Sequence, residues 1–329
     1  MRGLTGDARL VSRTHAGAPT LPPAAFERTV ALRRLLPFFP AIFVFLWSTG
    51  FVGARYAMPH AEPFTFLSMR YALALLILLP AAALALRGAA GVSAPRLAHA
   101  AFAGSLIHGL YLGGVFFAVR HGLPAGVAAL VAGLQPLLTA VMAASLLGER
   151  VTARHWAGLA VGLFGVALVV APKLGQASGF GLGQLAPALF AVAGISLGTV
   201  WQKRFVGSLD LRVGTAAQYV GALLPTLVAA HAFETMRVDW TGELVFALLW
   251  LTLALSIGAI FLLLYLIREG AVSRVASLMY LVPAVTALQT FVLFDEALTP
   301  VQLLGMALAA GGVAAATGAL RFGGRRREA

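Results

Sequence analysis

Few side chains in this chain could do acid–base or metal chemistry. No cysteine occurs among its 329 residues, which removes thiolate nucleophiles, thiolate metal sites and disulfides. Polar side chains inside the apolar stretches are scarce. His108 is the single histidine deep within one, with Tyr111 one turn along. A neutral imidazole there can hydrogen-bond a solute or titrate near neutrality, or it can be a satisfied core residue. Arg70 lies about five residues into an apolar stretch, and it either snorkels to the interface or meets an anionic solute. Trp47, Trp201, Gln135, Gln218 and Tyr280 join them as candidates to line a solute cavity. The buried glutamines need partners, which a wet cavity or a neighbouring helix can supply. No Asp or Glu falls in the middle third of an apolar stretch, so a buried-carboxylate proton relay has no residue to run on. Catalytic patterns fare no better. Gly194-Ile-Ser196-Leu-Gly198 imitates a nucleophile elbow, but it lies inside an apolar stretch without the strand–turn–helix that chemistry needs. Gly179-x-Gly181-x-Gly183 has no strand before it to make a dinucleotide loop. No cofactor or metal is called for, and an intramembrane enzyme would have His108 as its sole candidate base.

Two prolines carry more information. Pro136 is followed thirteen positions later by Glu149, and Pro283 at the same distance by Glu296. Around these anchors the chain repeats itself at an offset of 147: Leu134 with Leu281, Thr139 with Thr286, Thr152 with Thr299, Gly158 with Gly305, Gly165-Val166-Ala167 with Gly312-Val313-Ala314. At an offset of 148, Ser48-x-Gly50-x-Val52 echoes Ser196-x-Gly198-x-Val200, and Arg70-Tyr71 echoes Gln218-Tyr219. An internal duplication in so apolar a chain marks a transporter built from two related halves. A proline near the middle of a helix removes a hydrogen bond and crowds the carbonyl four residues back, here that of Ala132 or Met279. The two kinks either open onto a polar cavity or pack between neighbouring helices. Glu149 and Glu296 sit just past apolar runs, with Thr152 and Thr299 placed as N-caps beyond them, and read either as structural anchors of the repeat near positive helix ends or as proton or cation sites.

The elements that must position these residues follow from composition. The chain is 60% hydrophobic and 11% charged, with mean hydropathy +0.89, against roughly 25% charged for a soluble domain. Ten apolar segments of membrane length cover residues 36–57, 65–86, 97–119, 125–147, 154–171, 184–202, 214–231, 244–266, 272–294 and 299–320. With the N-terminus inside, nineteen of the Lys and Arg residues collect on the cytoplasmic side and four (Arg55, Arg120, Lys173, Arg237) outside. The net charge of +12 is therefore topological, and no basic helix interleaved with aromatics offers itself to nucleic acid. Five segments per half is odd, so the second half is expected upside down relative to the first, with both termini cytoplasmic. The organisation expected is a basic, disordered tail at 1–34, a five-helix repeat at 35–171, a linker at 172–183, a second repeat at 184–320 and a basic tail at 321–329.

The first-segment Trp47-Ser48-x-Gly50-Phe51, the second-segment Arg70-Tyr71 and the run Pro136…Leu147-Gly148-Glu149 resemble the EamA-type exporters of the drug/metabolite transporter superfamily. The second copy, Pro283…Phe294-Asp295-Glu296, departs from Leu-Gly-Glu. The resemblance spans residues 36 to 320. It implies an all-α integral membrane fold of ten helices in two inverted five-helix repeats around a central cavity. It also implies transport of small metabolites across the cytoplasmic membrane, commonly outward, without implying a substrate. Export of amino acids, related compounds or toxic analogues is the expectation, and import and sugar-derivative transport stay open. The expected partners are a small-molecule solute and the lipid bilayer, not nucleic acid, with a homodimer left open. An intramembrane enzyme and a non-transporting scaffold or sensor remain the rival readings.

Overall fold

A computed structural model describes residues 38–87, 92–148, 152–170, 180–206, 209–260, 262, 266, 281–295 and 299–317. Among them the fold is all helical: α1 (Phe39–Ala57), α2 (Pro63–Leu86), α3 (Ala94–Arg120), α4 (Ala125–Ala132), α5 (Gln135–Leu147), α6 (Ala153–Val170), α7 (Leu182–Phe205), α8 (Leu211–Phe233), α9 (Gly242–Ala259), α10 (Val282–Phe294) and α11 (Pro300–Thr317). Among the described residues six spans are long and apolar enough to cross a membrane: α2, α3, the α4–α5 run, α7, α8 and α9. A helix satisfies every backbone group within itself, which hydrocarbon demands. Large apolar side chains stand outward, including Leu76 (71% exposed), Phe190 (64%) and Val228 (68%), an arrangement water does not tolerate over so much surface.

The duplication reappears in the helices. α5 and α10 are both thirteen residues long, and both end in left-handed caps, Gly148 at φ 71° and Asp295 at φ 54°. α6 and α11 are both eighteen residues long and pack on each other closely. A Cβ built on Gly165 would stand 2.5 Å from the Gly305 carbonyl oxygen, and one on Gly312 would stand 2.8 Å from that of Gly158. The contacts therefore pair 165 with 305 and 158 with 312, so the two corresponding helices run antiparallel and exchange places about a local two-fold axis. Small residues at the crossing permit the backbone approach.

The prolines correct one expectation. Neither sits in a helix interior. The first span breaks at Gly133-Leu134, and Pro136 is the second residue of the restarted helix α5; Pro283 holds the same place in α10. At that position the missing N–H has no intrahelical acceptor to lose. At Pro136 the feature is a break with a clean restart, not a kink; Pro283 stands in the first turn of α10.

Helix ends are held by carboxylates. Glu234, just past α8, accepts from the N–H groups of Phe64 (2.8 Å) and Thr65 (2.7 Å) and from the Thr65 hydroxyl (2.7 Å) at the start of α2. Asp210 caps α8 itself, accepting from the Arg212 N–H at 2.9 Å. Thr299 caps α11 as its sequence suggests, its hydroxyl accepting from the Gln302 N–H at 3.3 Å. Glu149 and Glu296 lie outside the described residues.

Candidate functional site

Two helices that cross the interior contain a π-helical stretch, Ser105–Leu110 in α3 and Trp250–Ala259 in α9. Such turns admit one extra residue, turn side chains off the helical register and gather at functional sites. His108 lies in the first and Ser256 in the second, 148 residues apart. Each carbonyl receives a tyrosine: the Tyr71 hydroxyl donates to His108 O at 2.8 Å, and the Tyr219 hydroxyl to Ser256 O at 3.4 Å. The two tyrosine rings stack on each other, centroids 5.6 Å apart. Next to them the side chains of the same positions pair crosswise. Arg70 donates from Nε (3.1 Å) and Nη2 (3.0 Å) to Ser256 Oγ, and His108 Nε2 lies 3.3 Å from Gln218 Oε1. Ser256 Oγ–H donates to Leu251 O at 3.1 Å, which fixes Oγ as an acceptor toward Arg70. Arg70 is 5% exposed; it does not snorkel to the interface.

A cavity of about 120 Å³ opens beside this cluster, lined by Trp47, Arg70, His108, Tyr111, Tyr219 and Ser256 among apolar neighbours such as Phe51, Val115, Phe116 and Ile195. A smaller one of about 30 Å³ is lined by Gln135, Pro136 and Pro283, and shares Trp47, Phe51 and Tyr111 with the first. These shared aromatic walls place the starts of α5 and α10 next to the polar cluster. Both helix starts are tied to the opposite half: Ser48 Oγ donates to Val282 O, and Ser196 Oγ to Gln135 O, each at 3.3 Å. Val282 and Gln135 are the residues immediately before Pro283 and Pro136.

Of the residues expected to line a cavity, Trp47, Arg70, His108, Tyr111, Gln135, Pro136 and Pro283 do so. Gln218 lines neither cavity and stands behind His108 as its partner. Trp201 also lines neither. It packs with His99, Phe102 and Phe205, because five residues beyond the inward Ser196 is about 140° around a helix. Tyr280 lies outside the described residues. Ser256 was not foreseen, though carrying the repeat offset from His108 lands on it. Among the described residues no group of His, Asp or Glu could hold a metal ion.

A crystal structure of a 24% identical chain shares the fold, with a TM-score of 0.59 over 86% of this chain and 96% of the other. An Escherichia coli K12 protein described as an uncharacterized inner membrane transporter, YedA, is 27% identical over 83% of this chain and 88% of its own. A probable amino-acid metabolite efflux pump of Salmonella typhimurium is 26% identical over 84% and 92% respectively. A probable terminal-alkyne amino-acid exporter of Streptantibioticus cattleyicolor is 35% identical over 63% and 68%. The model of the EamA-like transporter family matches twice, at residues 37–171 and 184–318. With both halves of a multi-pass membrane protein so matched, the chain belongs to the EamA-like transporter family.

Proposed function

We propose that the protein exports small metabolites, amino acids or related compounds and their toxic analogues, from the cytoplasm by alternating access. Two inverted five-helix repeats, 35–171 and 184–320, rock about a shared cavity in the cytoplasmic membrane, with both termini inside. The arginine asymmetry supports the orientation, and the antiparallel crossing of α6 and α11 supports the inversion. The relatives named as amino-acid exporters support the solute class.

The crossed pair of serine bonds carries the reading. The first helix of each half holds the start of the other half's proline-led helix, α5 or α10. Movement of one half thereby displaces a wall of the cavity belonging to the other. An alanine in place of proline regains an N–H and no longer excludes a continuous helix through the break. Pro136→Ala and Pro283→Ala should each lower efflux of a responsive amino acid from proteoliposomes about tenfold or more, while the protein still inserts and purifies as a single species. Wild-type efflux by both variants overturns the reading.

A further inference from the structure

Arg70 is a buried cation with unspent donors. A guanidinium carries five N–H groups; Nε and Nη2 each give one to Ser256 Oγ, and the remaining three, on the Nη1–Nη2 edge, have no protein acceptor among the described residues. No ion pair among those residues joins Arg70 to a carboxylate. A charge so buried is costly unless paired and hydrogen-bonded, and this one lines the cavity. The two other positions of the cluster, His108 and Gln218, meet through Nε2 and Oε1 at 3.3 Å and offer no negative charge.

We propose that Arg70 holds the carboxylate of the transported solute end-on through Nη1 and Nη2. The solute class is then an amino-acid-sized organic monocarboxylate with an apolar body. The planar fork matches the two oxygens of a carboxylate. Arg70 is the one cationic side chain lining the cavity among the described residues, which suits a single negative charge and disfavours a phosphate dianion. Trp47, Phe51, Leu112, Val115, Phe116 and Leu255 supply the apolar wall. Ser256 is a positioning residue that turns the fork by taking its inner edge.

This inference rests on the export reading, so the experiment separates the two. Purified full-length protein is titrated with L-leucine, 4-methylpentanoate, L-leucinamide, isoamylamine and inorganic phosphate, following the fluorescence of the cavity tryptophan. The same compounds are then loaded into proteoliposomes for efflux. Leucine and 4-methylpentanoate should bind about tenfold or more tightly than leucinamide and isoamylamine, with phosphate failing to compete. Arg70→Gln should remove that preference, and Arg70→Lys should restore part of it. Ser256→Ala should weaken carboxylates selectively and by less. Equal binding of leucine and leucinamide by the wild-type protein overturns the proposal whatever the variants do, as does binding of none of the compounds, competition by phosphate, or an unchanged preference in Arg70→Gln. Efflux of the amine or amide without a carboxylate preference defeats the proposal and leaves export standing. Carboxylate binding that depends on Arg70 with no efflux of any compound does the reverse.

Discussion

Tyr71 and Tyr219 hang from corresponding helices, stack on each other and send their hydroxyls to corresponding carbonyls, yet a guanidinium stands next to the first and an amide next to the second. Arg70 meets the hydroxyl of Ser256, and Gln218 meets the imidazole of His108. Positions that set the backbone (the tyrosines, the serines at 48 and 196, the prolines, the glycines of α6 and α11) are alike in both halves. Positions whose tips reach the cavity cluster are not. A duplicated chain can keep the skeleton that packs two halves together while changing the side chains of the polar cluster beside the cavity, because the latter carry little of the packing. Mutations in the skeleton should therefore act equally in the two halves, and mutations at the tips unequally.

The sharpest test of the equal part lies at the α6–α11 crossing. Gly165→Leu and Gly312→Leu each push a side chain into the opposing backbone, with the first built Cβ 2.5 Å and the second 2.8 Å from a carbonyl oxygen. Overpacking alone costs about 1–3 kcal/mol; here the obstacle is backbone, which cannot rotate away, so about 3 kcal/mol or more is expected for each. Thermal unfolding in detergent should show both variants falling by similar amounts. A severe loss in one and none in the other would break the two-fold relation.

Much of this skeleton was legible. The offset between Pro136 and Pro283 and that between Ser48 and Ser196 name the corresponding positions, since a repeat preserves spacing as well as residue type. The partners were not legible. Ser256 is an ordinary serine in an apolar run, and only the extra residue of a π-helical turn brings its hydroxyl under Arg70. The break before Pro136 reads as a kink in the sequence, which shows where a proline falls and not whether the helix has already ended. Trp201 misled for a simpler reason: a tryptophan in an amphipathic inventory says nothing of which way its helix is turned.

Next in size is a contrast at the starts of α2 and α8, whose N-caps Glu62 and Asp210 correspond. Asp210 reaches its own helix; Glu62, one methylene longer, makes no cap, and Glu234 from the end of α8 serves instead. Glu234→Ala removes an acceptor from three donors and should cost about 2 kcal/mol. Asp210→Ala should cost about 1 kcal/mol or less. The Asp210 carboxyl is held below the ordinary aspartate range, chiefly by its bond from the Arg212 side chain. Its contribution is therefore present above the unfolded pKa and fades as pH falls through the lower folded one. The gap between Asp210→Ala and the wild-type protein should close at the acid end of a stability-versus-pH series; a gap that widens there contradicts the assignment.

The smallest effects test the crossed serines. Ser48 is fully buried, and its one hydroxyl proton is shared between Val44 O at 2.7 Å within its own helix and Val282 O at 3.3 Å. Ser196 is equally buried and reaches Gln135 O at the same 3.3 Å. Alanine at either position leaves one carbonyl at a helix start without its hydroxyl, worth about 0.5–1 kcal/mol. Because the two bonds couple the halves in opposite directions, Ser48→Ala and Ser196→Ala should destabilise equally within a few tenths of a kcal/mol. Each should also lower efflux, while carboxylate binding at Arg70 keeps its preference. Thermal unfolding and proteoliposome efflux measured on the same preparations decide it. A variant pair that loses the carboxylate preference would mean that the helix starts shape the polar cluster itself, and the separation of shared skeleton from divergent tips would fail at the place where the two meet.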